Sequence, residues 1–476
     1  MKNQKLSQFN KNERPVFHLT PEKGWLNDPN GFSRYGGKYH LFYQYYPDAT
    51  CWGPTRWGHA VSGDLIRWER LPDAIMPDRD YDIGGCFSGT AVTCEDGRHM
   101  LMYTGCRPDP DDRQGRGLQT QCIAFGNGTS YEKYHGNPVI TGDKLPAGGD
   151  PHEFRDPKIW QETDGTYRAV IANHNETHGA QILLFRSGDG LQWEFEKVLA
   201  DGEGKPGWMW ECPDFFPLDG RDILMAGTMG EVHTICRIGD YDHETGTFLE
   251  TAWQSMEQGF DFYAGQTVQA ADGRRILIGW MQNPQTAERR GIDLPINGQM
   301  SIPRELTLRD GRILQKPVRE LEAYRTDEII YRDAKLRSEE EIRLNGIRGR
   351  TIDLELSVRA DEAGPYELFR MRFASDGQQY TELRYEPAVS AVTLDRSHAG
   401  PGAANRTEAK TDVRGRGGRL DVRILLDKLS AEIFINDGEQ VMSAVIYTDR
   451  HAEDITFYVK GTAIMDIAKY RIKENK

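Results

Sequence analysis

Three acidic side chains stand in separate turn-rich islands of the chain. They are Asp28 in Trp25-Leu-Asn-Asp-Pro-Asn-Gly31, Asp156 in Phe154-Arg-Asp-Pro157 and Glu211 in Trp210-Glu-Cys-Pro213. Each lies beside aromatic residues, the setting that sugar-cleaving chemistry needs. One carboxylate attacks or stabilises a cationic anomeric carbon, and another gives a proton to the leaving oxygen. Taken singly the islands are bland: Asp-Pro-Asn-Gly is a good turn, Arg155-Asp156-Pro157 a salt-bridged turn, and Glu211 a surface carboxylate. They make a site only if the fold brings them together.

The elements that must do so can be read along the chain. All ten tryptophans fall between Trp25 and Trp280, and no cysteine follows Cys236. That shift divides the chain into a first domain over residues 1–325, a charged linker over 326–335 and a second domain over 336–476. The first domain carries a weak repeat. Ser62-Gly-Asp-Leu-Ile-Arg-Trp-Glu69 resembles Ser187-Gly-Asp-Gly-Leu-Gln-Trp-Glu194, with Gly126-Asn-Gly-Thr-Ser-Tyr-Glu132 between them and Gly239-Asp-Tyr-Asp-His-Glu-Thr-Gly-Thr-Phe248 after. Trp68, Tyr131, Trp193 and Phe248 therefore recur every 55–63 residues or so. Trp68 and Trp193 read as packing within their units, and His59 as a core histidine.

Alternating strand-forming runs, such as Tyr39-His-Leu-Phe-Tyr-Gln44 and Tyr167-Arg-Ala-Val-Ile-Ala172, separate the copies. The fold class is all-β. The first domain is predicted to be a five-bladed β-propeller, with Asp28, Phe87-Ser88-Gly89, Asp156, Glu211 and Asp261-Phe262-Tyr263 each opening a unit. The first strand of every blade lines the central axis, so these residues converge on one funnel. The second domain alternates by two, as in Thr351-Ile-Asp-Leu-Glu-Leu-Ser-Val358, and Asn436-Asp437-Gly438 supplies a hairpin turn. A C-terminal β-sandwich is expected.

Composition narrows the partners. The net charge of −14 argues against nucleic acid and strongly anionic polymers, yet leaves room for a basic pocket for one phosphate. The seven cysteines form no Cys-x-x-Cys pair and read as free thiols in a reducing compartment. No zinc-ligand spacing appears. The polar N-terminus lacks a signal-peptide core and no run has the length of a membrane span, so a cytoplasmic location without membrane contact is expected.

The islands, in their order, resemble glycoside hydrolase family 32, the β-fructofuranosidases. Trp57-Gly-His-Ala60, Phe87-Ser-Gly-Thr90, Glu211-Cys-Pro-Asp214, Asp261-Phe-Tyr-Ala264 and Leu394-Asp-Arg-Ser397 extend the likeness over almost the whole chain. The resemblance implies a retaining double displacement without metal or cofactor. Asp28 would be the nucleophile, Glu211 the general acid/base and Asp156 a stabiliser of substrate and transition state. Glu211 would be walled by Trp208, Trp210 and Cys212, and Asp28 held ionised by backbone N–H groups and Arg155. Asn27, Gln44 and Ser88 would make polar contacts to the fructosyl unit. Trp52, Trp57, Phe87, Tyr263 and Trp280 would pack against its apolar faces.

Leu26 stands where this family commonly has methionine, and Gly265 where it has proline. The loops Arg107–Arg116 and Met281–Gly291 would shape subsites beyond fructose. The substrate expected is sucrose or a short fructo-oligosaccharide. A sucrose-6-phosphate hydrolase is the near alternative, with Arg107, Arg113, Arg116, Arg289 or Arg290 to meet the phosphate. Fructosyl transfer and a non-catalytic fructan-binding propeller are the others. The sandwich offers an exposed sheet for a homo-oligomer.

Overall fold

The computed structural model describes residues 13–203, 205–230, 233–287, 294–337, 340–362, 364–400 and 406–473. Five antiparallel sheets succeed one another in the first 317 residues. The first comprises Gly24–Tyr35, Lys38–Tyr46, Arg56–Ser62 and Glu69–Ile75. The second comprises Gly85–Thr93, His99–Arg107, Leu118–Gly126 and Tyr131–Lys133. Gly149–Gln161, Tyr167–Asn175, Gly179–Ser187 and Glu194–Asp201 form the third. Trp210–Leu218, Arg221–Thr228, His233–Asp242 and Thr247–Ser255 form the fourth, and Tyr263–Gln269, Arg275–Trp280, Arg304–Arg309 and Arg312–Pro317 the fifth. These are the blades of a five-bladed propeller.

The sequence repeat has a physical cause in the turn between the third and fourth strands of a blade. Asp64 Oδ1 accepts from the N–H groups of Ile66 (3.0 Å) and Arg67 (2.8 Å), and the Trp68 indole donates to Leu65 O at 3.1 Å. Asp189 does the same for Leu191 and Gln192, both at 2.8 Å, with Trp193 donating to Gly190 O at 3.0 Å. Asn127 and Asp242 cap the corresponding turns in the second and fourth blades. A short side-chain acceptor that mimics a backbone carbonyl is what such a turn requires. Buried apolar side chains then weld blade to blade: Met102 and Ile123 of the second pack with Phe154, Ile171 and Phe185 of the third.

The ring is closed by Ile296–Asn297, which leaves the fifth blade and pairs in parallel with Gly24–Trp25 of the first. Residues 281–303, between the second and third strands of the fifth blade, make this detour possible.

The second domain is a sandwich of a six-stranded and a five-stranded sheet around one apolar core, in which Leu354, Leu356 and Val358 meet Phe369, Met371 and Phe373. The expected linker at 326–335 is absent as such. Arg325–Arg337 is a strand that pairs with Thr462–Ile472 and forms one edge of the larger sheet. Apart from Arg325, which pairs with buried Asp353, its charged residues are exposed and only Leu336 is fully buried, a pattern that protects a sheet edge from further pairing. The passage between domains is instead the short 3-10 segment Arg319–Tyr324.

The domains are locked by a buried charge network. His18 lies between Asp427 (2.8 Å) and Glu432 (3.0 Å), and Glu432 also accepts from Arg304 at 2.6 Å. Arg304 reaches Glu257 and the Ser443 hydroxyl as well. The predicted turn at Asn436-Asp437-Gly438 presses on the propeller. Gln315 N–H donates to Gly438 O at 3.0 Å, and a Cβ on Gly438 would sit 1.9 Å from Gln315 O, so only glycine fits.

Candidate active site

Each innermost strand of the propeller carries a register shift at the same level. The ladder slips between Leu26 and Pro29, Phe87 and Gly89, Arg155 and Lys158, Glu211 and Asp214, and Tyr263 and Gln266. A bulge re-aims the side chains beside it, and prolines tolerated within strands sit at such places. Pro29, Pro157 and Pro213 follow that rule. Asp156 and Cys212 adopt left-handed backbone, with φ of 64° and 48°. Five bulges therefore turn Asp28, Ser88, Asp156, Glu211 and Tyr263 into one cavity of about 900 Å³.

Asp28 ends a directed chain of hydrogen bonds. The Trp25 indole N–H donates to Asn27 Oδ1 (2.7 Å), Asn27 Nδ2 to Gln44 Oε1 (3.3 Å), Gln44 Nε2 to Ser88 Oγ (2.7 Å), and Ser88 Oγ to Asp28 Oδ2 (2.7 Å). An indole can only donate. That obliges Asn27 to present its oxygen, and each later group inherits its direction. The Ser88 proton is thus aimed at the carboxylate. Burial pushes the Asp28 carboxyl up to about 6; the bond from Ser88 opposes this and the charge of Glu211 adds to it.

Asp28 and Asp156 are joined through Cys212. Asp156 Oδ2 accepts from the Cys212 N–H at 2.9 Å, while the thiol lies 3.6 Å from Asp156 Oδ2 and 3.5 Å from Asp28 Oδ2. Burial raises the Asp156 carboxyl; Arg155 opposes that shift, and Glu211 and Asp28 reinforce it. Glu211 Oε1 accepts from Arg155 Nε (3.0 Å) and Nη2 (2.9 Å), and its Oε2 from the Tyr263 hydroxyl at 2.7 Å. Glu153 and Gln119 hold the far side of the Arg155 guanidinium.

Most of the expected site residues line this cavity: Asn27, Asp28, Gln44, Trp52, Phe87, Ser88, Arg155, Asp156, Glu211, Tyr263 and Trp280. Trp57 does not. It is fully buried against Phe42 and Tyr103, and its indole donates to Phe87 O at 2.9 Å, so it props the strand behind the pocket. Nor do Trp208 and Trp210 wall Glu211. Trp208 is half exposed, and Trp210 is buried with its indole on Pro206 O. Arg155 was expected to serve Asp28 but is committed to Glu211 and Glu153.

Of the loop cations considered, Arg116 reaches the cavity, whereas Arg289 and Arg290 lie outside the described residues. Arg116 is held by Asp112 (3.4 Å), Asp150 (2.8 Å) and Glu153 (3.5 Å). Gly115, Pro284 and Ala287 bring both predicted loops to the mouth. Sequence reasoning missed Trp25, Gln119, Glu153 and Asn297. Glu153 had a usable signal, since it stands two residues before Arg155 on one strand and shares its face.

Comparison with known proteins supplies the family. Residues 18–317 match the glycosyl hydrolases family 32 N-terminal domain and residues 320–474 the family 32 C-terminal domain. The chain belongs to glycosyl hydrolase family 32. It is 33% identical over 477 residues to a sucrose-6-phosphate hydrolase of Escherichia coli, covering 95% of this chain and 93% of that protein. It is also 33% identical over 498 residues to a levanase of Bacillus subtilis, covering 96% of this chain and 70% of that protein. Among solved structures, a family 32 β-fructofuranosidase of Bombyx mori, a mutant in complex with sucrose, superposes with a TM-score of 0.83 at 32% identity. That match covers 98% of this chain and 95% of the other.

Proposed function

We propose that Asp28, Glu211 and Asp156 carry out a retaining double displacement that releases terminal non-reducing β-D-fructofuranosyl units. The protein is a glycoside hydrolase acting on terminal fructosyl residues of a small carbohydrate, as its family membership and relatives indicate. The observation that carries the assignment of roles is the convergence of three carboxylates from three blades on one cavity, each with a different partner set. Asp28 receives the Ser88 hydroxyl and a thiol on Oδ2, which leaves Oδ1 to attack the anomeric carbon. Glu211 accepts from a phenol and a guanidinium, which fix its carboxyl group at the cavity, where it gives and regains the proton. Asp156, fixed by the Cys212 N–H, accepts hydrogen bonds from fructose hydroxyls, and these tighten as the ring gains oxocarbenium character.

Sucrose or a short fructo-oligosaccharide is the substrate we favour over sucrose 6-phosphate. Among the described residues the cations of the cavity are Arg116 and Arg155, and both are bound by carboxylates. A phosphate would have to displace them. The relatives named sucrose-6-phosphate hydrolase keep the second reading in play. We place the protein in the cytoplasm because all seven cysteines are unpaired thiols.

Two measurements test the reading. NMR of the first fructose released from sucrose should show the β anomer, and Asp28→Asn and Glu211→Gln should each lose at least about a thousandfold in kcat/KM. Release of the α anomer, or wild-type turnover by either variant, overturns the assignment. A large preference for sucrose 6-phosphate over sucrose overturns the substrate choice alone.

A further inference from the structure

Three of the ten tryptophans are exposed: Trp52, Trp208 and Trp253. Trp52 lines the catalytic cavity. The other two, each 47% exposed, line a second concavity of about 640 Å³ on the fourth blade, with Pro206, Met229, Gly230 and Ser255. Large apolar rings left in water singly are ordinary, but two on one hollow mark a binding surface.

This hollow adjoins the mouth of the active site. Trp208 stands three residues before Glu211, a separation that spans at most about 10 Å. Met229, in the wall of the hollow, has its sulfur 3.7 Å from Arg155 Nη2. Gly230 O accepts from Gln285 Nε2 at 2.9 Å, and the neighbouring Pro284 and Ala287 line the catalytic cavity. The two cavities thus share a partition made by Met229–Gly230 and the 283–287 loop.

Charge selects the kind of ligand. Among the described residues the lysine of the hollow, Lys205, is paired with Glu250 at 3.2 Å, and Arg237 binds the same carboxylate. A neutral ligand with an apolar face is what remains. Sugar rings have such a face in their C–H groups, which pack flat on an indole while the hydroxyls stay in water.

We propose that Trp208 and Trp253 form a platform for the glycosyl chain trailing from a fructan whose terminal fructose occupies the catalytic cavity. The inference rests on the fructosyl-releasing reading. It makes the enzyme one that accepts oligomeric and polymeric fructans, with sucrose as the short member of the series.

The test compares kcat/KM on inulin and on levan with kcat/KM on sucrose for Trp208→Ala, Trp253→Ala and the double variant. The polymer-to-sucrose ratio should fall roughly fivefold per tryptophan, through KM. Trp253 is remote from the carboxylates, so its variant guards against a disturbance of Glu211 by the change at Trp208. In affinity electrophoresis, full-length Asp28→Asn protein should be retarded by the polymer in the gel, and Trp253→Ala on that background should need roughly fivefold more polymer for the same retardation. Loss with one polymer only assigns the linkage. A ratio unchanged in both single variants, or retardation unchanged by the loss of Trp253, overturns the platform. Should no fructose be released from any substrate, the catalytic reading fails and the gel still decides the platform.

Discussion

The indole of Trp25 and the carboxylate of Asp28, three positions apart on one strand, are joined through Asn27, Gln44 and Ser88 in a chain whose four bonds all point the same way. The strand's own bulge separates the two ends, so the connection runs out to the neighbouring strand and blade before returning. What Trp25 contributes is direction.

Trp25→Phe keeps an aromatic ring and removes the donor. Asn27 and Gln44 then lose the constraint on their amide orientation, and Ser88 its obligation to donate. The acidic limb of kcat/KM should move up by roughly half a unit to one unit. Ser88→Ala should move it at least as far, and the double variant no further, since the two act through one path. Additive shifts would show that the chain does not act as a unit.

The Asp28 carboxyl, raised to about 6 from an ordinary 3.8, gives a second pH signature. As pH falls through 6 the nucleophile takes up a proton, so kcat/KM should decline below a limb near that value. The sign for stability is opposite to that of a salt-bridged acid. Between its unfolded and folded pKa the native state binds more proton than the unfolded one, so stability is lost as pH rises through this window. Asp28→Asn should therefore melt about 2–4 °C above wild type at pH 7.5 and show no such advantage below pH 4. Differential scanning calorimetry at the two pH values reads both.

Arg116 is kept from anionic ligands by Asp112, Asp150 and Glu153. Replacing Asp112 and Asp150 by Asn frees its guanidinium at the cavity mouth. The ratio of kcat/KM for sucrose 6-phosphate to that for sucrose should then rise by roughly tenfold. An unchanged ratio would mean that the phosphate does not reach Arg116.

At the domain junction, burial works against a charge on His18, but hydrogen bonds to Asp427 and Glu432 overcome it and hold the imidazolium up to about 9. A raised histidine contributes stability that is complete below pH 6.5 and lost as pH climbs through 9. The gap in melting temperature between wild type and His18→Gln should be widest near pH 6 and close by pH 10. Arg304→Met should cost about 3–5 kcal/mol, because it removes the guanidinium that Glu432 and Glu257 share in the buried network. Urea unfolding measures it.

The propeller was legible because its repeat is built from residues with a local mechanical role. Asp64, Asn127, Asp189 and Asp242 each cap a turn, and that demand survives where the strands between them have drifted. The catalytic level was legible for a related reason: Asp28-Pro29, Asp156-Pro157 and Cys212-Pro213 place a proline where only a bulge accepts it. Pairings across the fold left no such mark. His18 meets Asp427 over 409 positions, and each residue alone is unremarked. Trp57 was misplaced because a tryptophan behind a pocket and one inside it read alike; the difference lies in its bond to Phe87 O. Arg325–Arg337 passed for a linker because an edge strand repels partners with the same charges that a linker uses to stay in solvent.

The strand bearing Asp28 is fastened by residues from much later in the chain. Gly24 and Trp25 pair with Ile296 and Asn297, and the backbone N–H groups of Val16 and Phe17 are held by the Asp427 carboxylate. A ribosome delivers the strand of Asp28 well before these fasteners. The propeller is therefore assembled as a hoop whose first blade waits, unlatched on one edge, until residues 296–297 have been made. A nascent chain stalled before residue 427 would carry all three carboxylates and still lack the acceptor that holds the Val16 and Phe17 N–H groups.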